Sequence, residues 1–309
     1  MTEKESEAVP TKDDFKKFFK IKGTYTLRDG IYDVEGDVIL LRDVESLQFK
    51  FGTVTANFDC SCSKLTSLEG APVKVGGDFL CGENNLTSLE GAPEKVGRDF
   101  WCSYNKLVSL NGAPTKLVGD FECSDNNLTS LEGAPVKVEG GFDCTRNKLV
   151  SLKGAPEEVG RGFWCDCNNL HSLKGAPTKV GGDFDCSNNN LRSLKGAPKK
   201  VGGDFDCNDN KLTFLEGAPK EVRGGFRCNN NELHSLEGAP EEVGKGFWCS
   251  YNKLTSLKGA PVEVGGNFYC NNNKLTSLEG ASFKVRGGFW CNDNPKLFTT
   301  EEVEAPSKV

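Results

Sequence analysis

Apolar and polar residues alternate in short runs along most of this chain, and the runs recur with a period of 21 residues. In the unit from Val75 to Pro93, alternate positions through Phe79 and Cys81 are apolar or glycine, whereas the positions between them include Asp78. A period of two predicts a β-strand that buries one face. Each unit therefore predicts one strand, with its phenylalanine and cysteine directed inward.

The register of the repeat is marked by its cysteines. Twelve of them follow one another at intervals of 21 residues, with no insertion or deletion: Cys60, Cys81, Cys102, Cys123, Cys144, Cys165, Cys186, Cys207, Cys228, Cys249, Cys270 and Cys291. Three positions later an asparagine occurs in eleven units, from Asn84 to Asn294, and Ser63 takes this place in the first unit. A side-chain amide at a repeated bend predicts hydrogen bonds to the backbone of every coil. The alternative is an ordinary solvated turn residue.

The rest of each unit supplies further core residues and a turn. Two leucines, such as Leu86 and Leu89, follow the asparagine, and the sequence Gly-Ala-Pro comes next. Glycine permits unusual backbone angles and proline blocks helices and strand pairing, so a short, non-helical back is predicted. One unit cannot bury its own apolar face, and stacking is required. We therefore predict a β-rich solenoid, a right-handed stack of coils with one parallel strand per coil, about 55 Å long at ~4.8 Å per strand.

The strand and turn of the unit, Phe-x-Cys-x-x-Asn-x-Leu-x-x-Leu, resemble the leucine-rich-repeat signature Leu-x-Leu-x-x-Asn-x-Leu over residues 54–294. The joined motifs LTSLEGAP and VGGDFxC are similar to those of the short-repeat leucine-rich proteins encoded by bacteria and especially by large bacteriophages. The resemblance implies a curved solenoid with a parallel sheet on its concave side and a role in molecular interactions. It implies no catalytic residue.

The two ends of the chain depart from the repeat. We predict a disordered leader at 1–10, an N-terminal cap at 11–53, the solenoid at 54–294 and a C-terminal cap or tail at 295–309. The N-terminal cap is predicted to contain a short amphipathic helix that follows Thr11 and an atypical first coil. Such a helix most often covers the open apolar end of a solenoid. A basic amphipathic helix can also bind a membrane or a partner.

Composition narrows the function classes. The net charge of −6 and the pI of about 5.3 do not favour a nucleic-acid surface. The acidic, polar start lacks a signal-peptide pattern and no apolar run could span a membrane, so a cytoplasmic location is predicted. The twelve register cysteines are expected to be reduced, buried thiols. Cys62 and Cys167 are predicted to lie at the turn outside the core, and whether they are reactive or only replace a turn residue is left open.

Enzyme and metal sites are not expected. The chain has two histidines, at equivalent turn positions of different coils, and no Cys-x-x-Cys pair. The paired glycines are not followed by the start of a helix, so they do not form a phosphate-binding loop. The nine-residue glycine-aspartate repeat of calcium solenoids is absent from the sequence. No cofactor is predicted.

Function is therefore sought on the outward positions of the strand. The face column, defined as the residues immediately before the register cysteines, contains all four tryptophans, and the aspartate column lies two residues earlier. Aromatic and acidic side chains on one face favour a protein partner that is basic or has exposed apolar groups. The predicted partner-binding residues, which include two tyrosines at the following turn, are Trp101, Trp164, Trp248, Tyr269, Trp290, Tyr104, Tyr251, Asp78, Asp99, Asp120, Asp183, Asp204 and Arg227.

Three functional hypotheses follow. The first is a non-enzymatic protein-binding scaffold and, on the resemblance alone, a phage-encoded protein that binds a host protein. The second is a carbohydrate-binding or adhesion solenoid in which tryptophans stack on sugar rings. The third is a structural spacer without a ligand, in which the rings only cover the sheet.

Lysines on the back, such as Lys153 and Lys200, could contact phosphate, but alternating charge is also typical of a solvated surface. No nucleic-acid or membrane partner is expected, and the oligomeric state is left open.

Overall fold

The computed structural model describes residues 12–41, 43–278, 280–281, 284–299 and 301–302. These residues form a stack of parallel coils that is preceded by one short helix and a β-hairpin. The elements before the regular coils are α1 (Lys12–Phe18), β1 (Phe19–Arg28), β2 (Ile31–Leu40) and β3 (Lys50–Val54). The predicted solenoid with short non-helical backs and a small N-terminal helix is therefore confirmed.

Each regular coil contributes two short strands, one at the phenylalanine and one at the valine or leucine four residues before it. The phenylalanine strands are β4 (Phe58–Asp59), β6 (Phe79–Leu80), β8 (Phe100–Trp101), β10 (Phe121–Glu122), β12 (Phe142–Asp143), β14 (Phe163–Trp164), β16 (Phe184–Asp185), β18 (Phe205–Asp206), β20 (Phe226–Arg227), β22 (Phe247–Trp248), β24 (Phe268–Tyr269) and β26 (Phe289–Trp290). The others are β5 (Lys74–Val75), β7 (Lys95–Val96), β9 (Lys116–Leu117), β11 (Lys137–Val138), β13 (Glu158–Val159), β15 (Lys179–Val180), β17 (Lys200–Val201), β19 (Glu221–Val222), β21 (Glu242–Val243), β23 (Glu263–Val264) and β25 (Lys284–Val285).

The two rows of strands give the solenoid two sheets. The phenylalanine strands, together with β1, β2, β3, β5 and β7, form a sheet of 17 strands, and the nine strands from β9 to β25 form the second sheet. Equivalent residues pair in parallel register, as Phe163 does with Phe142 and Phe184. The predicted single strand is thus divided in two, because the glycine-rich bend between valine and phenylalanine turns the chain from one sheet to the other.

The interior is a set of continuous side-chain columns. The rings of successive phenylalanines, from Phe51 through Phe58 to Phe289, lie with their centroids 5.1–5.8 Å apart. The register cysteines and the paired leucines fill the space beside them, and most have no solvent exposure. Removing this apolar surface from water is the main stabilising contribution. The predicted inward position of phenylalanine and cysteine is confirmed.

The repeated asparagine joins each coil to its neighbour. The Nδ2 of Asn168 donates to the carbonyl oxygens of Cys144, Cys165 and Asp166 at 3.0–3.2 Å, and its Oδ1 accepts a 3.0 Å bond from the backbone amide of Leu149. The same bonds recur with equivalent partners from Asn84 to Asn294. Each amide therefore satisfies buried backbone groups of two coils. The predicted backbone role of this asparagine is confirmed.

The turn after the leucines depends on a glycine. Gly91 has a φ of 89°, and the following amide of Ala92 donates a 2.9 Å bond to the oxygen of Leu89. A β-carbon at Gly91 would lie 2.9 Å from the backbone of Leu68 in the preceding coil. A residue with a side chain would therefore be strained both by its own backbone angle and by the neighbouring coil.

The N-terminal end of the stack is covered by aromatic side chains. Phe15 of α1 is fully buried, and its ring stacks on Tyr32 with the centroids 4.0 Å apart. It also lies near Phe19, Phe49 and Phe51, which begin the phenylalanine column. The predicted Thr11 cap lies outside the described residues. The helix packs on the end of the solenoid in the arrangement that the sequence predicted.

The β-hairpin that follows this helix was not predicted. β1 and β2 pair antiparallel over ten residues, from Phe19 opposite Leu40 to Arg28 opposite Ile31. The helix ends at Phe18 and the chain enters β1, whose antiparallel pairing with β2 supplies hydrogen-bond partners to the backbone groups that face that strand. At the other end, Thr299 and Glu302 exchange hydrogen bonds in a capping box, an arrangement typical of the start of a helical turn. No helix of the described residues is long and apolar enough to cross a membrane.

Candidate functional site

The face column lies on the outer surface of the phenylalanine sheet. Its members point outward because the phenylalanine and the cysteine on either side are buried, as Phe163 and Cys165 are beside Trp164. The structure places the predicted residues at two levels of exposure. Those that are half-buried are Trp101, Trp164, Trp248, Tyr269, Arg227, Asp78, Asp99, Asp120 and Asp204, and those that are exposed are Trp290, Tyr104, Tyr251 and Asp183.

The aspartate column forms hydrogen bonds between coils. Asp99 Oδ1 accepts a 2.8 Å bond from the amide of Asp120, and Asp183 Oδ1 accepts a 2.7 Å bond from the amide of Asp204. Asp120 in turn accepts from the amide of Gly141 at 2.7 Å. One oxygen of each of these carboxylates therefore accepts a backbone hydrogen bond that stabilises the fold. The aspartates contribute to the stack in addition to giving its surface a negative charge.

Glycine replaces aspartate in this column where most of the tryptophans lie. The Trp164 ring occupies the space next to Gly141 and Gly162, since a β-carbon at Gly162 would come within 2.3 Å of the ring. Trp248 lies in the same way against Gly225 and Gly246, and a β-carbon on the latter would be 2.5 Å from it. Sequence reasoning missed this pairing. The signal was present in the sequence, where the Phe-Trp pair follows glycine rather than aspartate in three of its four occurrences.

Trp101 is oriented differently from Trp164 and Trp248. Its own coil retains Asp99, and its ring instead lies against Gly82, where a β-carbon would be 2.7 Å from it. Gly82 occupies the position after the cysteine, which is polar in the other coils. The tryptophans of the face column therefore do not form one uniform surface, because each ring packs against the glycine that lies nearest to it.

The C-terminal half of the face column is a continuous stack. The guanidinium carbon of Arg227 lies 4.7 Å from the centroid of the Trp248 ring, Trp248 stacks on Tyr269 at 5.8 Å, and Tyr269 stacks on Trp290 at 4.6 Å. The Nη1 of Arg227 also forms a 2.8 Å ion pair with Asp204 Oδ2. Trp290, in the last coil, is 37% exposed. The structure thus brings together four predicted residues that are distant from one another in the sequence.

The middle of the face column is acidic. Its carboxylates belong to Glu122, Asp143, Asp185 and Asp206, and Asp166 lies beside them at the following position. Asp143, Asp185 and Asp206 each accept a 2.9 Å bond from the backbone amide two residues later. Sequence reasoning saw these acids as members of the column but did not include them among the binding residues.

Burial and crowding weaken the acidity of this group. Burial raises the pKa of the Asp206 carboxyl to about 7, and the nearby Asp185 adds to the rise, against the opposing effects of the Asn208 amide and Arg227. Burial, together with the carboxylate of Asp143, raises the pKa of Glu122. A positive charge placed next to these carboxyl groups would favour their ionised form.

The tyrosines and two extra cysteines occupy one position of the turn. Tyr104 and Tyr251 have φ values of 57°, and Cys62 and Cys167 have values of 53° and 54°. This left-handed conformation directs the side chain away from the core. All fourteen cysteines are free, and the twelve in register are buried. Burial and a hydrogen bond to Asp166 raise the pKa of Cys167 to about 11, so this thiol is protonated at neutral pH.

The back of the solenoid carries alternating charges. Lys153 pairs with Glu132 at 2.6 Å and Lys200 pairs with Glu221 at 3.0 Å, in each case between adjacent coils. An open hollow of about 720 Å³ lies over the second sheet, and its rim is formed by residues of this kind together with core valines. Several basic residues of the back are therefore paired with acidic residues of adjacent coils. Among the described residues, no group of histidine, cysteine, aspartate and glutamate side chains is arranged to hold a metal ion.

Two solved structures are similar to this chain in fold. YopM from Yersinia enterocolitica WA-314 is 20% identical, with a TM-score of 0.51, and the match covers 79% of this chain and 60% of that one. YopM from Yersinia pestis, described as a leucine-rich effector protein of novel architecture, is 20% identical with a TM-score of 0.57, and the match covers 84% and 77% of the two chains. This chain thus spans less than two thirds of the first structure. No family model and no curated protein sequence matches it. The likeness confirms the leucine-rich-repeat fold.

Proposed function

We propose that this chain is a non-enzymatic protein-binding scaffold, and that its contact surface is the outer face of the phenylalanine sheet. The observation that carries the proposal is the stack of Arg227, Trp248, Tyr269 and Trp290, which extends across four coils to an exposed end. Tryptophan, tyrosine and arginine are the residues most often found at the energetic centres of protein interfaces. A rigid row of them is pre-organised, so little conformational entropy is lost on binding.

The chemistry of the face favours a partner that is basic or has exposed apolar groups. Aromatic side chains dominate the C-terminal coils, whereas Glu122, Asp143 and Asp185 give the middle coils a negative charge. A partner with cationic side chains next to apolar ones would match both parts. The Yersinia pestis protein of similar fold is described as an effector, a description consistent with an interaction role. A phage origin, a host target and a cytoplasmic location remain predictions from the sequence.

The test is affinity capture with the full chain. We expect a protein that copurifies with the wild type in a fixed ratio to be lost when Trp164, Trp248 and Trp290 are changed together to alanine. The matched control replaces Val136 and Val262, two exposed apolar residues outside the face column, with serine. The control should retain the partner. Equal capture by the tryptophan variant, with its fold verified by circular dichroism, would contradict the proposal.

Carbohydrate binding is the second candidate, because the half-buried Trp164 ring lies against glycines and keeps one side accessible. In the C-terminal stack, by contrast, the rings cover one another's faces, which a sugar would need for stacking. Binding on a glycan array that disappears in Trp164→Ala would favour this second function. If neither a protein nor a glycan depends on the tryptophans, only the structural spacer is left.

A further inference from the structure

The sheet face already shows how it holds a guanidinium group. Arg227 lies between two residues of adjacent coils, with its Nη1 2.8 Å from Asp204 Oδ2 and its guanidinium carbon 4.7 Å from the Trp248 ring centroid. Gly225 and Gly246 provide the space in which the ring lies, and Asp204 is held by the amide of Gly225 at 2.8 Å. These four residues form a frame around the arginine.

The same frame occurs four repeats earlier in the chain. Asp120, Gly141, Gly162 and Trp164 occupy the positions equivalent to Asp204, Gly225, Gly246 and Trp248, since each pair is separated by 84 residues, or four times 21. Asp120 is held by the amide of Gly141 at 2.7 Å, as Asp204 is by that of Gly225. The two frames also share a peripheral cation, Arg161 at 3.4 Å from Asp120 in one and Lys245 at 3.9 Å from Asp204 in the other.

The central residue of the two frames differs. Asp143 stands where the second frame has Arg227, so the earlier frame contains a carboxylate in place of a guanidinium group. The result is an open recess of about 450 Å³ beside Trp164, whose wall also includes Glu122 and Asp166. Among the described residues, neither Glu122 nor Asp143 forms an ion pair.

The cations near this recess do not fill it. Arg146 lines its edge, and its Nη1 lies 3.8 Å from Asp125 Oδ2. Arg161, which reaches Asp120 from the outside, has a side chain that is 74% exposed. The recess therefore combines an aromatic wall, an aspartate fixed by the fold and further carboxylates, which together are complementary to a planar cation.

We propose that the recess beside Trp164 binds the side chain of an arginine from a protein partner, with the guanidinium group between Trp164 and Asp120. This inference rests on the protein-binding function proposed above and names the chemistry that the face recognises. Arginine is favoured over lysine, because the flat guanidinium stacks on an indole and donates several hydrogen bonds in one plane, whereas ammonium is a compact and strongly hydrated charge.

The direct test uses a short peptide rather than the unknown partner. Acetyl-Gly-Arg-Gly-amide is titrated into the full ¹⁵N-labelled chain, and the indole N–H signals of the four tryptophans are followed by NMR. We expect a saturable shift of Trp164, with little change at Trp248, whose position is already occupied by Arg227. The lysine peptide should bind at least about threefold more weakly.

Two exchanges between the frames provide the variants. Asp143→Arg should place an internal guanidinium in the recess and weaken binding of the arginine peptide at Trp164 by about tenfold or more. Arg227→Asp should open the second frame and produce a new peptide-dependent shift of Trp248. Asp143→Asn is the control for Asp143→Arg, since it leaves the space open. The backbone amide spectrum of each variant verifies that the fold is retained.

The outcomes separate this inference from the proposed function. No shift at Trp164 in the wild type, equal binding of the lysine peptide, or unchanged binding in Asp143→Arg would each overturn the arginine site. If the captured partner still binds Asp143→Arg but is lost from the triple tryptophan variant, the scaffold function stands and the arginine site fails. A shift of Trp164 produced by sugars and not by the arginine peptide would assign the recess to carbohydrate instead.

Discussion

The interior and the sheet face of this solenoid both contain a column of side chains that link adjacent coils. In each column, a side-chain oxygen at a fixed repeat position accepts a hydrogen bond from a backbone amide of an adjacent coil, but the two columns differ in how much the residue type varies. The asparagine column extends unbroken from Asn84 to Asn294, and each member makes four hydrogen bonds to backbone groups. A member of the aspartate column accepts one backbone hydrogen bond, and glycine interrupts the column at Gly141 and Gly162. From the second unit onward the interior position is always asparagine, whereas on the face a glycine gives up the hydrogen bond and leaves space that a tryptophan ring occupies.

The largest effect is expected from Asn168→Ala. This change removes the acceptor of the Leu149 amide and three bonds to backbone carbonyls, all made by a buried side chain. A buried amide without a partner costs about 1–3 kcal/mol, so we expect the free energy of unfolding to fall by about 3 kcal/mol. Urea denaturation measures this change, and hydrogen exchange should show the loss concentrated in the two adjacent coils.

The neighbouring Asn169 provides the control. It is the same residue type in the same turn, but its side chain is exposed. Asn169→Ala should change the free energy of unfolding by less than about 0.5 kcal/mol. Comparable losses in both variants would mean that the asparagine column is not the connection between coils, and that the contrast between interior and face is wrong.

The second largest effect is expected at Asp206, because the folded protein disfavours the ionised form of this carboxyl group. The folded-state pKa of about 7 lies above the ordinary aspartate value. Between about pH 4 and 7 the folded protein keeps a proton that the unfolded chain has released. Stability is therefore lost as the pH rises through this window, and Asp206→Asn should recover it. The full shift corresponds to about 4 kcal/mol, and water contact at this half-buried side chain reduces the expected gain to about 2 kcal/mol.

Thermal or urea unfolding at two pH values tests this sign. At pH 8 Asp206→Asn should be more stable than the wild type, and at pH 3.5 the two should differ little, because the aspartate is then mostly protonated in both states. The control Asp183→Asn makes the same substitution at an exposed member of the aspartate column and measures the effect of the substitution outside the acidic middle of the face column. A loss of stability at pH 8 in Asp206→Asn would show that Asp206 is ionised and favourably solvated in the folded chain.

Most of the fold could be predicted from the sequence, because the same physical requirement is repeated twelve times. One coil cannot bury Phe163, Cys165 and their leucines alone, so an unbroken register allows only a stack. The β1–β2 hairpin could not be predicted in this way. It occurs once, half of its residues are exposed, and the helical pattern before it does not indicate where the strand begins.

The face was predictable as a surface but not as a set of contacts. Alternation showed that Trp164 and Arg227 point outward, and the structure agrees. It could not show that Trp248 is covered by Arg227, or that Trp101 lies against Gly82, because these partners are 21 and 19 positions away in the sequence. Comparing each tryptophan with its equivalents in neighbouring coils, rather than with its sequence neighbours, would have revealed the glycine pairing.

The smallest change in stability is expected from a substitution at Gly162, one of the glycines that interrupt the aspartate column. This substitution tests why glycine replaces aspartate there. In Gly162→Ala the new methyl would lie within about 2.3 Å of the Trp164 ring, and because the half-buried ring can move toward solvent we expect a loss of only about 1 kcal/mol. The same substitution made in a Trp164→Ala background should cost almost nothing, since the three atoms nearest to the added methyl all belong to that ring. The coupling energy of this double-mutant cycle measures the contact directly, and a red shift of the Trp164 fluorescence should accompany the single change. Equal losses in both backgrounds would show that Gly162 is required by the backbone, and that tryptophan occupies this surface for a reason other than the space that glycine leaves.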